Sequence, residues 1–173
     1  MARKRERIFS GFFAALFLLT SSALTIVVIL QVTQGSGSDS SQSASKLQGT
    51  KLANYTPVTS VTQLQEQDLK AGTGATVKAG DTVTVDYTGA VASTGIIFQS
   101  SQDSGQSVPV TLKSGPNGVI EGWVQGVPGM KVGGTRRLLI PAALAYGANP
   151  PQGSGIPTNA ALVFDVTVDK IGQ

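Results

Sequence analysis

Cysteine and histidine are both missing from these 173 residues. Their absence removes disulfides, C-x-x-C redox pairs, thiol nucleophiles, zinc fingers and every histidine-dependent triad. It also removes the lipid-modified cysteine of a bacterial lipoprotein, and it leaves the hydrophobic core alone to hold a folded part together. Charge is sparse, at 13% of residues, and aromatics make up 6%, with a single tryptophan. The D-x-D pattern of a calcium loop is missing as well, so no metal or cofactor is expected. Gly133-Gly134 lacks the GxxxxGK[ST] spacing of a phosphate loop. A serine nucleophile would have only lysine for a base, and the β-rich region contains no S-x-x-K.

The formal charge of +3 and the basic pI near 9.3 point toward nucleic acid until the charges are located. Arg3, Lys4, Arg5 and Arg7 crowd the first seven residues. From Lys51 onward eight basic residues (Lys51, Lys70, Lys78, Lys113, Lys131, Arg136, Arg137, Lys170) balance eight acids (Glu66, Asp68, Asp81, Asp86, Asp103, Glu121, Asp165, Asp169). That part is formally neutral and shows no basic stripe interleaved with aromatics, so nucleic acid is set aside. The acids are scattered over outward strand positions and turns, which reads as solvated surface and not as a catalytic carboxylate pair. Lys131, Arg136 and Arg137 in KVGGTRR read as a turn between a helix end and a strand.

The one long apolar run is residues 8–32, IFSGFFAALFLLTSSALTIVVILQV, which carries no charge. As a helix it would reach about 37 Å, enough to cross a hydrocarbon layer of about 30 Å. RKRER precedes it, so residues 1–7 are expected to be a cytoplasmic basic tip and the rest of the chain to lie across a cell membrane, single-pass. The alternative is a cleaved signal peptide with a small-residue site at SSA, residues 21–23. The run continues through LTIVVIL, longer than a usual signal core, which favours the anchor. Residues 33–50, rich in Ser, Gly and Gln, read as a flexible tether of roughly 20 to 25 Å. Residues 51–173 then form the folded domain.

In that domain the signals are mostly β. Residues 81–90, DTVTVDYTGA, alternate, with Val83, Val85 and Tyr87 on one face. Residues 107–113 repeat the pattern through Val108, Val110 and Leu112, and Pro109 argues for an edge. Residues 134–141 and 161–171 are further strands, and a weaker one runs within residues 61–72. Two short helices are expected, at residues 119–127 and, opened by Pro141 and closed by Gly147, at 141–147. The result is an α+β domain, an antiparallel sheet with a short helix against it.

What remains is a chemistry without nucleophile, acid or metal. Tyr87, Ile97, Phe98, Val119, Ile120, Trp123, Tyr146 and Phe164 are the apolar and aromatic residues that would line a concave pocket, with tyrosine hydroxyls as its few polar groups. Prolyl isomerisation suits such a pocket. The amide barrier is about 18 to 20 kcal/mol, and an apolar site with one or two placed hydrogen bonds favours the twisted amide over the planar one. An aromatic cluster is also how an ordinary core looks. Trp123 carries the question: on a Gly-rich helix it is either core filler or the floor of a site.

The stretches VTVDYTGAVASTGIIFQSS, VIEGWVQGVPGMKVGGTRRLLIP, AYG and IPTNAALVFDV, in that order and spacing, closely resemble FKBP-type peptidyl-prolyl cis-trans isomerases. The likeness runs from about Leu64 to Ile171. The resemblance implies about five or six antiparallel strands wrapped around a short helix, and a pocket between them that takes proline-containing polypeptides and macrolides of the rapamycin type. It implies that Tyr87 and Phe98 line the wall and Val119 and Ile120 stand at the helix start, with the Ile120 N–H donating to a substrate carbonyl. By the same resemblance Trp123 is the floor, Tyr146 donates its hydroxyl, and Ile156 and Phe164 close the far side. The chain departs from the family at Gln99, where FDSS usually places an acid, at Val108, where an aromatic is common, and at Thr158 in IPTN. Two further readings stand beside the enzyme: a non-catalytic module that holds proline segments on the same fold, and a structural domain in which the aromatics are only core.

Overall fold

The structure, a computed structural model, describes residues 46–115 and 118–172. The spanning helix and most of the tether expected from the sequence fall on residues outside these. Among the described residues no helix is long and apolar enough to cross a membrane.

Period-two alternation of branched apolar and polar residues builds a six-stranded antiparallel sheet. Its strands are β1 (Gln65–Lys70), β2 (Thr82–Val91), β3 (Ile97–Ser100), β4 (Val108–Thr111), β5 (Thr135–Ile140) and β6 (Leu162–Ile171). They stand in the order β1-β5-β6-β2-β3, and β4 pairs with β2 as well. The two ten-residue strands β2 and β6 run antiparallel along nearly their whole lengths, from Val83 opposite Ile171 to Val91 opposite Leu162. Pro109 sits in β4, whose partner is β2 alone, as a residue without a backbone donor requires.

One face of the sheet carries the main core. Val83 and Val85 of β2, Leu138 and Ile140 of β5 and Leu162, Val166 and Val168 of β6 are fully buried there. The α-helix found among the described residues, α1 (Glu121–Gly126), lies against β5 and contributes Trp123 to that core. A Cβ on Gly126 would come within 2.7 Å of Leu138 Cδ2, and one on Gly122 would collide with the Ile140 side chain. The glycines that make this a poor helix in isolation are what allow it so close to the sheet.

Several elements differ from the sequence reading. The helix begins two residues later than expected, because Ile120 is extended (ψ 151°) and serves as its N-cap. The second helix is a single 3-10 turn, Ala142–Leu144, after which Gly147 at φ 53° donates back to the Ala142 carbonyl. Strand β3 and the 3-10 turn Ser101–Asp103 behind it were not anticipated. Four residues are too few for a period-two signal to stand out.

The opposite face is covered by a strap from the N-terminal side, and here the tether boundary moves. Leu47 and Gln48, assigned by composition to the tether, donate their N–H groups to the Asp103 carboxylate at 2.6 and 3.1 Å, and Gly49 N–H donates to the Ile97 carbonyl. Leu47, Leu52 and Tyr55 pack with Ala90, Ile97, Val163 and Leu139 into a second apolar cluster. Val163 is therefore fully buried although it faces away from the main core.

Arg137 fastens this strap. Its guanidinium makes a fork onto the Asp165 carboxylate, 2.7 Å at both contacts, and donates to the Asn54 and Ala53 carbonyls at 2.6 and 3.1 Å. It also lies 5.4 Å from the centre of the Tyr55 ring, within cation–π range. Asp165 is thus no solvated surface acid: a fork onto a buried cation holds it. Arg136 is bound likewise by Asp68 and Glu66 from β1. Removing Arg137 would leave Asp165 without its partner, so Arg137→Met should lower the unfolding free energy by about 3 kcal/mol. Urea unfolding measures this, and a loss below about 1 kcal/mol would show that other contacts hold the strap.

Candidate functional site

A cavity of about 360 Å³ opens beside α1, lined by Tyr87, Gln99, Val108, Val110, Gly115, Gly118, Val119, Ile120, Trp123, Tyr146 and Phe164. Each wall comes from a different element. Alternation on β2 turns Tyr87 to the same side as Val83 and Val85, and Phe164 comes from the centre of β6. Val108 and Val110, two apart on β4, share one face. Val119 and Ile120 form the entry to α1, where Trp123 and Val124 donate their N–H groups back to the Ile120 carbonyl. The loop before the helix is tied down from both sides, by the Val119 N–H to the Lys113 carbonyl at 3.0 Å and by Ser114 Oγ to the Glu121 carboxylate. Tyr146 follows the 3-10 turn, and its loop is closed by the Asn159 N–H donating to the Gly147 carbonyl at 2.7 Å.

The floor is aromatic. Trp123 and Phe164 meet edge to face, with ring centres 5.5 Å apart and planes at 90°, and Tyr87 meets Trp123 at 5.5 Å and 83°. Such pairs add about 0.5 to 1.5 kcal/mol each beyond burial. Gly89 leaves room for this packing: a Cβ there would come within 2.6 Å of the Phe164 ring and 2.7 Å of the Phe98 ring. Trp123 is 4% exposed, and its indole nitrogen is the one buried side-chain polar atom without a hydrogen-bond partner among the described residues. The tryptophan is both core and cavity lining, so the two readings of Trp123 are not exclusive.

Eight of the ten nominated residues line the cavity, namely Tyr87, Gln99, Val108, Val119, Ile120, Trp123, Tyr146 and Phe164. Phe98 and Ile156 do not. The Phe98 ring packs 5.6 Å from that of Phe164 at 83°, and Ile156 is packed into the main core at 8% exposure. Sequence reasoning missed Val110 as lining, although its alternation with Val108 carried the signal. It also missed Gly115 and Gly118, whose place at the rim depends on how the loop folds.

The electrostatics are simple. Among the described residues no Asp, Glu, Lys or Arg side chain lines the cavity, and the ionisable lining groups are the two phenols. Burial pushes the Tyr87 phenol above the ordinary tyrosine range, and the neighbouring Tyr146 adds to the rise. Burial raises Tyr146 in the same direction. Both hydroxyls therefore stay protonated, as donors, through neutral and mildly alkaline pH. A phenol pKa raised by folding contributes stability that is present below the unfolded value of about 10 and is lost as pH climbs through the folded one. Tyr55 is raised as well, by burial before all else. At a pH of about 10, then, the folded chain should show clearly less tyrosinate absorbance than the same chain in denaturant. Equal absorbance in the two would contradict the buried, neutral phenols.

A sequence model described as FKBP-type peptidyl-prolyl cis-trans isomerase matches residues 74–169, more than half of the chain. The chain is 43% identical over 124 residues to FK506-binding protein 4 of Neurospora crassa, a match covering 70% of this chain and 25% of that protein. It is 42% identical over 105 residues to the FK506-binding protein of Neisseria meningitidis, covering 61% of this chain and 93% of the relative. The crystal structure of FkpA from Escherichia coli superposes with a TM-score of 0.55 at 40% identity, over 66% of this chain and 50% of that one. The chain thus spans about a quarter of the fungal protein and nearly all of the neisserial one.

Proposed function

Because the chain belongs to the FKBP-type peptidyl-prolyl cis-trans isomerases, we propose that it accelerates rotation about Xaa-Pro bonds, acting from a membrane anchor on polypeptides that have been exported. The observation that carries this reading is the uncharged aromatic cavity with two protonated phenols at its wall. A planar amide owes its barrier to conjugation of the nitrogen lone pair with the carbonyl. In the twisted transition state that conjugation is lost, the carbonyl is less polar, and an apolar surrounding no longer penalises it as it does the planar dipole.

In this mechanism the proline ring rests on Trp123, between Tyr87, Val108 and Phe164. The Ile120 N–H and the Tyr146 hydroxyl hold the carbonyls on either side and leave the prolyl nitrogen free to pyramidalise. No bond to the enzyme forms and no proton leaves the substrate. Gln99 gives the rim a neutral group that both donates and accepts, so charge plays no part in orienting the peptide. Macrolides of the rapamycin type would occupy the same cavity.

Full-length protein in detergent should accelerate the cis-to-trans conversion of an Xaa-Pro peptide, with a rate flat from about pH 6 to 9 because no lining group titrates there. Tyr146→Phe removes one hydrogen bond and should lower kcat/KM by about three- to tenfold. A folded protein that binds proline peptides, seen as a change in Trp123 fluorescence, yet leaves the uncatalysed rate unchanged would instead be a binding module.

The anchor rests on residues 8–32, an uncharged apolar run behind the basic cluster RKRER, which orients the N-terminus to the cytoplasm. The full chain should remain in the membrane fraction after alkaline carbonate washing, and deletion of residues 8–32 should release it. Release of the full chain by carbonate would rule the anchor out.

A further inference from the structure

Strand β2 presents Tyr87 to the cavity, yet at that residue the strand lacks a neighbour on one side. One edge of β2 is paired with β6 from Val83 to Val91. The other edge is shared: β4 takes Thr82 to Val85, and β3 takes Thr88 to Ala90. Asp86 and Tyr87 fall in the gap between the two. A backbone donor and acceptor in mid-strand need partners there.

Two serine side chains supply them. Ser101 Oγ accepts the Tyr87 N–H at 3.0 Å, and Ser100 Oγ donates to the Tyr87 carbonyl at 3.3 Å. The orientation of each hydroxyl is fixed in turn. Ser101 gives its single proton to Asp86 Oδ1 at 3.1 Å, which turns its lone pairs toward the Tyr87 N–H. Ser100 has spent its proton on Tyr87 and accepts the Gln102 N–H at 3.3 Å, so Thr88 is the donor in the 2.9 Å contact between Thr88 Oγ1 and Ser100 Oγ. Ser104 Oγ closes the turn on the Ser101 carbonyl at 2.8 Å. Thr88, Ser100 and Ser101 are 8%, 6% and 3% exposed, so water does not compete for these bonds.

We infer that Ser100 and Ser101 are positioning residues for the prolyl site: their hydroxyls replace the missing strand beside Tyr87 and set the direction in which its ring enters the cavity. The inference rests on the isomerase reading only in giving Tyr87 a substrate to meet. The gap exists because the chain leaves β3 at Ser100 and coils into its 3-10 turn, so a side chain must do what a neighbouring backbone does elsewhere along β2. Serine is short enough to place its oxygen at backbone distance. Alanine would leave a buried N–H unpaired, which costs more than the bond itself was worth.

The test compares hydroxyls at two places. Ser101→Ala removes the acceptor beside Tyr87. Thr135→Val removes a similar partly buried hydroxyl, 2.8 Å from Thr167 Oγ1, between β5 and β6; neither threonine lines the prolyl cavity. In the full chain, Ser101→Ala should lower kcat/KM for an Xaa-Pro peptide by about tenfold, mostly through KM, while Thr135→Val stays within about twofold. The Tyr87 amide should exchange with solvent at least about tenfold faster in Ser101→Ala and at the wild-type rate in Thr135→Val. Ser101→Thr, which keeps the oxygen, should recover most of the activity. An alanine variant that loses no more activity than Thr135→Val, or keeps the Tyr87 amide fully protected, overturns the inference. If Ser101→Ala does not fold, Asp86→Ala gives the same readouts: the freed Ser101 proton should loosen Tyr87 and lower kcat/KM about threefold, and an unchanged Tyr87 amide would overturn the inference. Should the wild type prove inactive, the isomerase reading falls, and the Tyr87 exchange rates decide the positioning by themselves.

Discussion

The closeness of α1 to β5 governs everything around the cavity. At Gly122 over Ile140 and Gly126 over Leu138 there is no room for a methyl group, so the helix lies where its own propensity would not hold it. Tertiary packing, not helix propensity, stabilises such a six-residue element. From that position Trp123 reaches across to Phe164 and Tyr87, and the first residue before the helix, Ile120, comes to the rim. A helix held further out by ordinary side chains would carry the tryptophan away from the sheet and close the space between them with its own bulk.

The polar groups are distributed to keep that cavity neutral. Both arginines of β5 are neutralised outside it, Arg136 by Glu66 and Asp68 and Arg137 by Asp165. Within the cavity the polar atoms belong to tyrosines, to Gln99 and to backbone, and burial keeps the phenols protonated. Such a lining has little to offer acid–base or nucleophilic chemistry, but it suits a reaction in which a dipolar planar group becomes less polar at the barrier. The hydroxyls of Ser100 and Ser101 act from behind the wall, where they complete the hydrogen bonding of the strand without adding polarity to the cavity.

Much of the fold could be read in the chain because the long strands announce themselves. Val83 and Val85 of β2, and Phe164, Val166 and Val168 of β6, alternate with polar residues within strands ten residues long. Pro109 declared β4 an edge. β3 was silent at four residues, and the 3-10 turn after Pro141 looked like a helix because the same boundary residues open both. Leu47 to Thr50 looked like tether because composition cannot report that Asp103 lies near enough in the fold to cap two of their N–H groups. Phe98 packs edge to face on Phe164, which lines the cavity, and sequence gives such a neighbourhood but not which atoms face the open space.

By itself the sequence determined the class of the domain, a poor helix around one tryptophan, and an inventory without cysteine, histidine or a carboxylate pair that left apolar binding as the available chemistry. These depend on local pattern and on residue type, which the chain carries openly. The tertiary structure decided the rest: which rings line the cavity, which acids are paired, where the folded domain begins, and that two serines fill the gap beside Tyr87. These rest on contacts between residues 13 to 84 positions apart, and separations of that size leave no periodicity for a sequence to show.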